Sequence, residues 1–256
     1  MSSGMRLLIL GAALACGSLQ AAESPTIHPA IQAAVDSQDR LPKDRTRDDN
    51  RHYAQVLEFF GVRPGMKVIE LFAAGGNTAE VLARAVGPNG KVYMQNPAFF
   101  YERFSNKSVE ERLANNRLPN VVRLDKPLND LGLEASSLDG AVAFMVLHDF
   151  FWLSPDVPDV LKDLHTALKP GGWFGVVDHA APANTGAEHA KDRDKGTHRI
   201  DEEYVKELFA EAGFVFEANN DVLRNAADDR SKPFYDESFR GKSTDRFVLR
   251  FRKKAQ

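Results

Sequence analysis

Two pairs of ionisable residues, His148-Asp149 and Asp178-His179, each follow an apolar segment of the chain. Apolar segments of this kind are expected to be buried strands, so each pair should lie where a strand ends. A neutral imidazole near pH 7 suits a general base. His148 is the first candidate, because it ends the most apolar segment, and Asp149, His179 and His198 are the other catalytic candidates. Each histidine has an alternative role as a core residue that is hydrogen-bonded to a loop.

The same side chains also offer nitrogen and oxygen donors to a metal ion. The positions of His148, Asp149, Asp178 and His179 along the chain match no recognised metal-ligand spacing, so we predict no metal site. A metal-dependent hydrolase or lyase is the alternative, and it requires the histidines to converge in the fold.

A turn of small residues, 72–76 (Phe-Ala-Ala-Gly-Gly), follows an apolar strand that contains Val68 and Ile69. A backbone without bulky side chains can approach a ligand closely. The helix predicted to begin near Asn77 leaves its first N–H groups without intrahelical partners, and Glu70 can accept a hydrogen bond from an amine or hydroxyl. The turn therefore predicts a site for a nucleotide-like ligand, with tight packing as the alternative.

The elements that must position these residues alternate between strands and helices, which favours a doubly wound, mainly parallel α/β sheet. The last strand follows a long polar loop and is expected to insert antiparallel. The predicted strands are residues 67–72, 91–95, 120–124, 138–147, 173–178, 214–218 and 245–252. The predicted helices are residues 28–37, 51–60, 77–86, 107–116, 157–168 and 201–212.

In such sheets ligands bind beyond the carboxyl ends of the strands, near the point where the strand order reverses. Residues 44–51 form a charge-dense run that is either a solvated face or a cover over the mouth of a site. A row of polar strand ends is hard to explain by packing, so we predict a functional cleft there. The five ends are Glu70-Leu71-Phe72, Gln95-Asn96, Leu124-Asp125, Leu147-His148-Asp149 and Asp178-His179.

The composition is typical of one globular domain with a sizeable core: 256 residues, of which 43% are hydrophobic and 27% charged. The formal net charge of -3 implies no dominant basic face, so a nucleic-acid partner is not predicted. Cys16 is the only cysteine, which excludes a disulfide framework. The sequence carries no signal for the oligomeric state.

The N-terminus predicts export. Arg6 precedes an apolar run, residues 7–15, that is too short for a stable membrane span, and small residues follow through Ala22. We therefore predict a signal peptide over residues 1–22, a single domain over residues 23–256 with a helical cap over about 28–60, and a periplasmic location. Residues 13–16 (Ala-Leu-Ala-Cys) also form a degenerate lipoprotein signal, so a lipid anchor on Cys16 is an alternative.

Over residues 60–220 the chain resembles the class I S-adenosylmethionine-dependent methyltransferase superfamily. Val68-Ile69-Glu70 with the turn, Gly90-Lys91-Val92-Tyr93 and Leu168-Lys169-Pro170-Gly171-Gly172 carry this resemblance. More closely, it looks like a family of exported methyltransferases that covers nearly the whole mature chain. The segments of that closer resemblance are Phe72-Ala73-Ala74-Gly75-Gly76, Leu147-His148-Asp149-Phe150-Phe151-Trp152, Val176-Val177-Asp178-His179, His198-Arg199-Ile200-Asp201 and Gly241-Lys242-Ser243-Thr244-Asp245-Arg246-Phe247.

The resemblance implies a Rossmann-like, seven-stranded sheet and S-adenosylmethionine as the cofactor. It places the methionine part of the cofactor over Glu70 and the turn, including Phe72, Ala74, Gly75 and Gly76. Gln95 and Asn96 would hold the ribose diol, where methyltransferases usually have an acidic residue. Asp125 would meet the adenine amino group, and Leu147 and His148 would flank the sulfonium and the acceptor.

The predicted function is methyl transfer to a small-molecule acceptor that the sequence does not identify. The alternative is a non-catalytic envelope binding protein that uses the same fold to hold a nucleoside-like or aromatic ligand. Glu70 and the polar strand ends favour the enzyme. The amides of Gln95 and Asn96, together with the export signal, favour the binding protein.

Overall fold

The computed structural model describes Met1, residues 26–153 and residues 156–255. The predicted signal peptide and Cys16 lie outside the described residues, apart from Met1. Within the described part, no helix is long and apolar enough to cross a bilayer.

The described elements centre on one seven-stranded sheet, which confirms the predicted fold class. Its strands are β1 Lys67–Leu71, β2 Lys91–Gln95, β3 Val121–Leu124, β4 Leu138–Phe144, β5 Leu168–His179, β6 Val215–Asn220 and β7 Arg246–Arg252. The α-helices are α1 Pro29–Asp36, α2 Pro42–Arg45, α3 Asp48–Arg51, α4 Tyr53–Phe60, α5 Asn77–Val86, α6 Ala98–Phe100, α7 Asn106–Leu113, α8 Phe150–Leu153, α9 Val157–Ala167 and α10 Glu202–Glu211. A π-helix spans Tyr101–Ser105, and 3-10 helices span Ala114–Asn116, Leu147–Asp149 and Glu237–Phe239.

The strand order is β3-β2-β1-β4-β5-β7-β6. The first five strands in this order pair in parallel, whereas β7 runs antiparallel to both β5 and β6. The predicted antiparallel insertion of the last strand is therefore confirmed. The order reverses between β1 and β4, so the carboxyl ends of these two strands define the position where a ligand is expected.

Side chains that alternate along the central strands build two apolar layers, one on each face of the sheet. Ile69 and Ala141 face a layer that α9 and α10 complete, while Val68 and Val142 face a layer that α1, α4 and α5 complete. Both faces of β4 are covered, which explains why its sequence is almost wholly apolar.

Two predicted boundaries need correction. The strand predicted over residues 138–147 ends at Phe144, and the 3-10 helix at 147–149 turns the chain at the carboxyl end of the sheet. Strand β5 begins at Leu168 and not at 173, because the Lys-Pro-Gly-Gly segment forms an irregular start to the strand. Leu138 pairs with Leu168, whereas Gly140 already pairs with Trp173.

Candidate functional site

A cavity of about 570 Å³ lies at the carboxyl ends of β1 and β4, at the reversal of the strand order. Its floor is Glu70 and the turn 72–76, and its far wall is formed by residues 144–146, His179 and Phe234. The charged run after α1 lines its mouth through Lys43, Asp44, Arg47 and Arg51. Of the two interpretations of this run, the structure supports a cover over the site.

The turn 72–76 has an alternating backbone. Phe72, Ala74 and Gly76 have φ angles of 49°, 50° and 76°, all in the left-handed region. A side chain at Gly76 is excluded, because a Cβ there would lie 2.5 Å from the sulfur of Met94. Left-handed conformations at Phe72 and Ala74 cost free energy and persist only when neighbouring groups hold them.

Gln95 and Asn96 are the groups that hold the turn. Gln95 Oε1 accepts a hydrogen bond from the Phe72 N–H at 2.8 Å, and Gln95 Nε2 donates to the Lys126 carbonyl at 2.7 Å. Asn96 pairs with Ala74 twice: its Oδ1 accepts from the N–H at 2.8 Å and its Nδ2 donates to the carbonyl at 3.1 Å. A side-chain amide can donate and accept at once, whereas an ionised carboxylate can only accept.

This geometry changes the role predicted for the two amides. Gln95 and Asn96 have 0% and 1% of their surface exposed, and neither lines the cavity. A carboxylate at either position would set an oxygen against a backbone carbonyl, which explains the amides where an acidic residue is usual. We therefore assign both residues to support of the turn and not to a ribose diol.

A buried arginine fixes the other side of the turn. Arg112 of α7 donates through Nε to the Gly75 carbonyl at 2.5 Å and through Nη2 to Asp44 at 2.6 Å. Its Nη1 pairs with Glu80 of α5, a carboxylate that also pairs with Arg117 at 3.0 Å. The network ties the helical cap, the turn and α7 together, and no local pattern of residues predicts it.

Glu70 is the buried carboxyl group on the cavity floor, with 3% of its surface exposed. Burial raises its pKa to about 8, although the Thr78 hydroxyl and the Arg51 guanidinium oppose this shift. Its Oε2 has no hydrogen-bond partner among the described residues. A buried acceptor without a partner at the floor of a cavity fits a ligand that brings a positively charged donor.

Three of the predicted catalytic residues, His148, Asp149 and His198, form what we call the histidine–aspartate cluster. His148 Nε2 and His198 Nδ1 each lie 3.3 Å from Asp149 Oδ1. Asp178 is fully buried and accepts from His148 Nδ1 at 2.7 Å and from the His148 N–H at 2.9 Å. Burial lowers the pKa of His148, but the carboxylates of Asp178 and Asp149 more than offset this and hold it above its ordinary value.

His179 is the predicted catalytic residue that lines the cavity itself. Its Nδ1 lies 2.6 Å from the Thr244 hydroxyl, and its ring stacks on Phe234 with the centroids 4.6 Å apart. Burial, together with the positive groups of His148 and Arg246, holds its pKa well below the ordinary value. His179 is therefore a neutral imidazole at neutral pH.

Two further predicted site residues, Leu147 and Asp125, do not line the cavity either. Leu147 is fully buried in the layer beneath the 3-10 helix, so it packs against the core. Asp125 is bonded to Arg123 Nε at 2.8 Å at the edge of the sheet. Conversely, Arg51 and Met145 line the cavity without having been predicted as site residues. Met145, directly after β4, has a φ of 59° in the left-handed region, and no local sequence motif predicts this strained conformation.

Solved structures of methyltransferases share this fold. A SAM-dependent methyltransferase from Aquifex aeolicus superimposes with a TM-score of 0.61 at 19% identity, covering 84% of this chain and 94% of that one. At this level of identity the likeness establishes the fold alone. The sheet order and the cavity at its switch point thus define a Rossmann-like methyltransferase fold.

The chain belongs to the methyltransferase domain family, whose model matches residues 45–219. It is 26% identical over 196 residues to sterol 24-C-methyltransferase of Yarrowia lipolytica, which covers 72% of this chain and 48% of that protein. It is 25% identical over 162 residues to demethylmenaquinone methyltransferase of Staphylococcus aureus, covering 63% of each. The chain thus spans about half to just under two thirds of the length of these curated relatives.

Proposed function

We propose that this protein transfers a methyl group from S-adenosylmethionine to an apolar, ring-containing small molecule. The observation that carries the proposal is the cavity floor, where Oε2 of the buried Glu70 carboxyl has no hydrogen-bond partner among the described residues, beside a turn held in a left-handed conformation. Membership of the methyltransferase domain family supports the same reaction. The closer likeness to exported methyltransferases is part of this proposal.

The cavity fits the methionine end of S-adenosylmethionine. Glu70 would accept from its amino group, and the cationic side chains of Lys43 and Arg51 would face its carboxylate. Arg51 is already oriented, because its Nη1 donates to the Tyr53 hydroxyl at 2.9 Å. When bound, this cofactor supplies an electrophilic methyl group on a sulfonium, so the protein mainly has to orient the reactants.

The acceptor would bind at the far wall. Phe144, Met145, Val146 and Phe234 give this end of the cavity an apolar surface, with the imidazole of His179 beside it. A neutral imidazole can accept a hydrogen bond from an acceptor hydroxyl and hold its oxygen in line for transfer. The named activities of the relatives, on a sterol and on demethylmenaquinone, support an apolar ring as the acceptor class.

Calorimetry with S-adenosylmethionine and S-adenosylhomocysteine tests the cofactor assignment directly. We expect one bound equivalent of each, and a Glu70→Gln variant that binds about tenfold to a hundredfold more weakly, because a charge-assisted hydrogen bond becomes a neutral one. Glu134→Gln is the matched control, since Glu134 is exposed. No binding at millimolar ligand would contradict the proposal.

One observation favours the rival function, a non-catalytic binding protein. Gln95 and Asn96 are committed to the turn, so the end of β2 offers no free carboxylate for a ribose diol. The rival predicts that a nucleoside or an aromatic ring binds and that S-adenosylmethionine does not. Competition between adenosine and S-adenosylmethionine in the same calorimeter separates the two functions.

We also propose that residues 1–22 direct export to the periplasm, with a lipid anchor on Cys16 as the alternative. The support is the sequence alone: Arg6, the apolar run 7–15 and the small residues that follow. Fractionation of cells that express the full chain or residues 23–256 checks the location. Mass spectrometry of the mature N-terminus distinguishes a free residue from an acylated Cys16.

A further inference from the structure

The histidine–aspartate cluster has a feature that methyl transfer does not require. Three potential ligand atoms, His148 Nε2, Asp149 Oδ1 and His198 Nδ1, all lie within 4.8 Å of one another. Both histidine nitrogens are 3.3 Å from the carboxylate oxygen. Bonds of about 2.0–2.2 Å at a tetrahedral metal separate ligand atoms by about 3.3–3.5 Å, so these two spacings match a metal site.

The outer nitrogen of each imidazole is bonded to an acceptor. His148 Nδ1 donates to the Asp178 carboxylate at 2.7 Å, and His198 Nε2 donates to the Arg193 carbonyl at 2.8 Å. A carboxylate and a carbonyl can only accept here, so the nitrogens that face Asp149 are the ones left to bind a cation. Metal-binding histidines are held in the same way in known sites.

The third ligand is oriented as well. The indole N–H of Trp152 donates to Asp149 Oδ1 at 3.0 Å, which fixes the carboxylate between the two imidazoles. His198 has a φ of 52°, a left-handed conformation that a loop residue adopts only when its surroundings hold it.

We propose that His148, Asp149 and His198 bind one divalent transition-metal ion of the zinc, cobalt or iron(II) type. Two imidazoles and one carboxylate suit these borderline ions better than Mg²⁺ or Ca²⁺, which prefer all-oxygen sites. Three protein ligands leave at least one coordination position for water or a ligand, as in catalytic sites and unlike closed structural ones. The site adjoins the far wall of the cavity, since the ring of Phe234, which belongs to that wall, has its centroid 5.9 Å from that of His148 and 5.8 Å from that of His198.

This proposal replaces our prediction of no metal site. The ligand set differs from the one considered in the sequence, because His198 supplies the second imidazole and His179 turns toward Thr244. Metal binding is independent of the proposed methyl transfer, since the titration contains no S-adenosylmethionine and its failure would leave the cofactor site untouched.

Calorimetry of chelator-treated protein without an affinity tag, titrated with Zn²⁺, tests the site. We expect one bound equivalent, and Co²⁺ should give visible absorption bands as it enters the same site. His198→Asn should weaken Zn²⁺ binding more than about a hundredfold. Asp178→Asn, which changes the group that orients His148 and removes no ligand, should weaken it by about tenfold to a hundredfold. Asparagine at 198 tolerates the left-handed backbone, so the fold should be retained.

His165→Gln is the matched control, because His165 lies in α9 just before β5 begins, at the opposite end of the sheet from the cluster. It should bind Zn²⁺ as the wild type does. Circular dichroism of each variant shows whether it is folded, and Asp149→Asn repeats the test if His198→Asn is not. One equivalent that is lost in these variants and kept in the control supports the proposal, and any other pattern of binding overturns it.

Discussion

The cavity floor and the histidine–aspartate cluster lie at the same edge of one sheet, but they are built in opposite ways. The floor is a strained backbone turn that two neutral amides hold on one side and Arg112 on the other, with the buried Glu70 carboxyl beneath it. The cluster is a compact set of titratable side chains, held by the buried Asp178 and covered by Phe234. At the floor, a ligand has to supply the hydrogen-bond donor for Glu70 Oε2. In the cluster, most donors and acceptors already have partners within the protein.

The difference teaches where charge is tolerated in this fold. A negative charge at the end of β2 would lie against the carbonyl oxygens of Ala74 and Lys126, so the residues there are neutral amides. The charges at the ends of β4 and β5 are paired, as buried charges must be. Glu70 is the exception: burial raises its pKa to about 8, and its Oε2 has no hydrogen-bond partner among the described residues.

The largest expected effect concerns Glu70 and pH. The folded-state pKa of about 8 lies above the ordinary 4.5, so the folded protein binds the proton more tightly than the unfolded chain does. Stability is therefore fully present below about pH 4.5 and is lost as the pH rises toward 8, by up to roughly 5 kcal/mol at about 1.4 kcal/mol per pKa unit. Glu70→Gln should remove this loss.

Denaturant unfolding of wild type and Glu70→Gln at pH 5 and pH 8, without ligand, measures the effect. The variant should be more stable than wild type at pH 8, and the gap should shrink toward pH 5. An equal gap at both pH values would show that Glu70 is not a destabilised buried carboxylate. Saturating S-adenosylmethionine should narrow the gap at pH 8 by about 1.4–2.7 kcal/mol, because the wild type is expected to bind it about tenfold to a hundredfold more tightly.

The next effect concerns the support of the turn by Arg112. Arg112→Ala leaves Glu80 and Asp44 buried without this partner, and we expect a loss of about 3–5 kcal/mol of unfolding free energy. Arg240→Ala, at an exposed pair with Glu237, should change the stability by less than about 0.5 kcal/mol. Urea unfolding compares the two, and a loss below 1 kcal/mol for Arg112→Ala would show that the network is dispensable.

A smaller effect is expected at the neutral corner. Asn96→Asp replaces a donor with an acceptor opposite the Ala74 carbonyl, and the loss of stability should be about 1–3 kcal/mol. Cofactor affinity should fall with it, because the turn loses its support. If Asn96→Asp instead raises the affinity for S-adenosylmethionine, the residue contacts the ribose and our assignment to the turn is wrong.

The smallest effect is expected at Asp125, which the resemblance placed against adenine. It is paired with Arg123 and its side chain is about one third exposed. Asp125→Asn should therefore change stability by less than about 1 kcal/mol and the affinity for S-adenosylmethionine by less than about threefold. A tenfold loss of affinity in calorimetry would instead support a contact between Asp125 and the adenine.

Much of the fold could be predicted because its signals are local. The apolar segment that became β4 was expected to be central and buried on both faces, and it is the fourth strand of seven. Helix α5 begins and ends at the predicted residues, since Gly76 and Gly87 bound it. The late antiparallel strand was also predicted, because it follows a long polar loop and not a crossover helix, which a parallel neighbour usually needs.

The candidate site could be predicted only in part, because proximity along the chain says little about proximity in space. Glu70 and residues 72–76 are adjacent in sequence and were found together. Asp149 and His198 are 49 residues apart, and no spacing rule joins them. Arg112 reaches Gly75 from a helix that lies beyond β2, a contact that depends on how α7 packs.

By itself, the sequence determined the α/β sheet, the row of polar strand ends and the small-residue turn. These follow from hydrophobic periodicity and backbone sterics, which act over a few residues. Only the tertiary structure decided which polar ends face the cavity, which support the turn and which imidazole nitrogens remain to bind a cation. These roles depend on hydrogen-bond partners that come from distant segments of the chain. Tertiary packing, and not the neighbouring residues in the sequence, determines which partner each group meets.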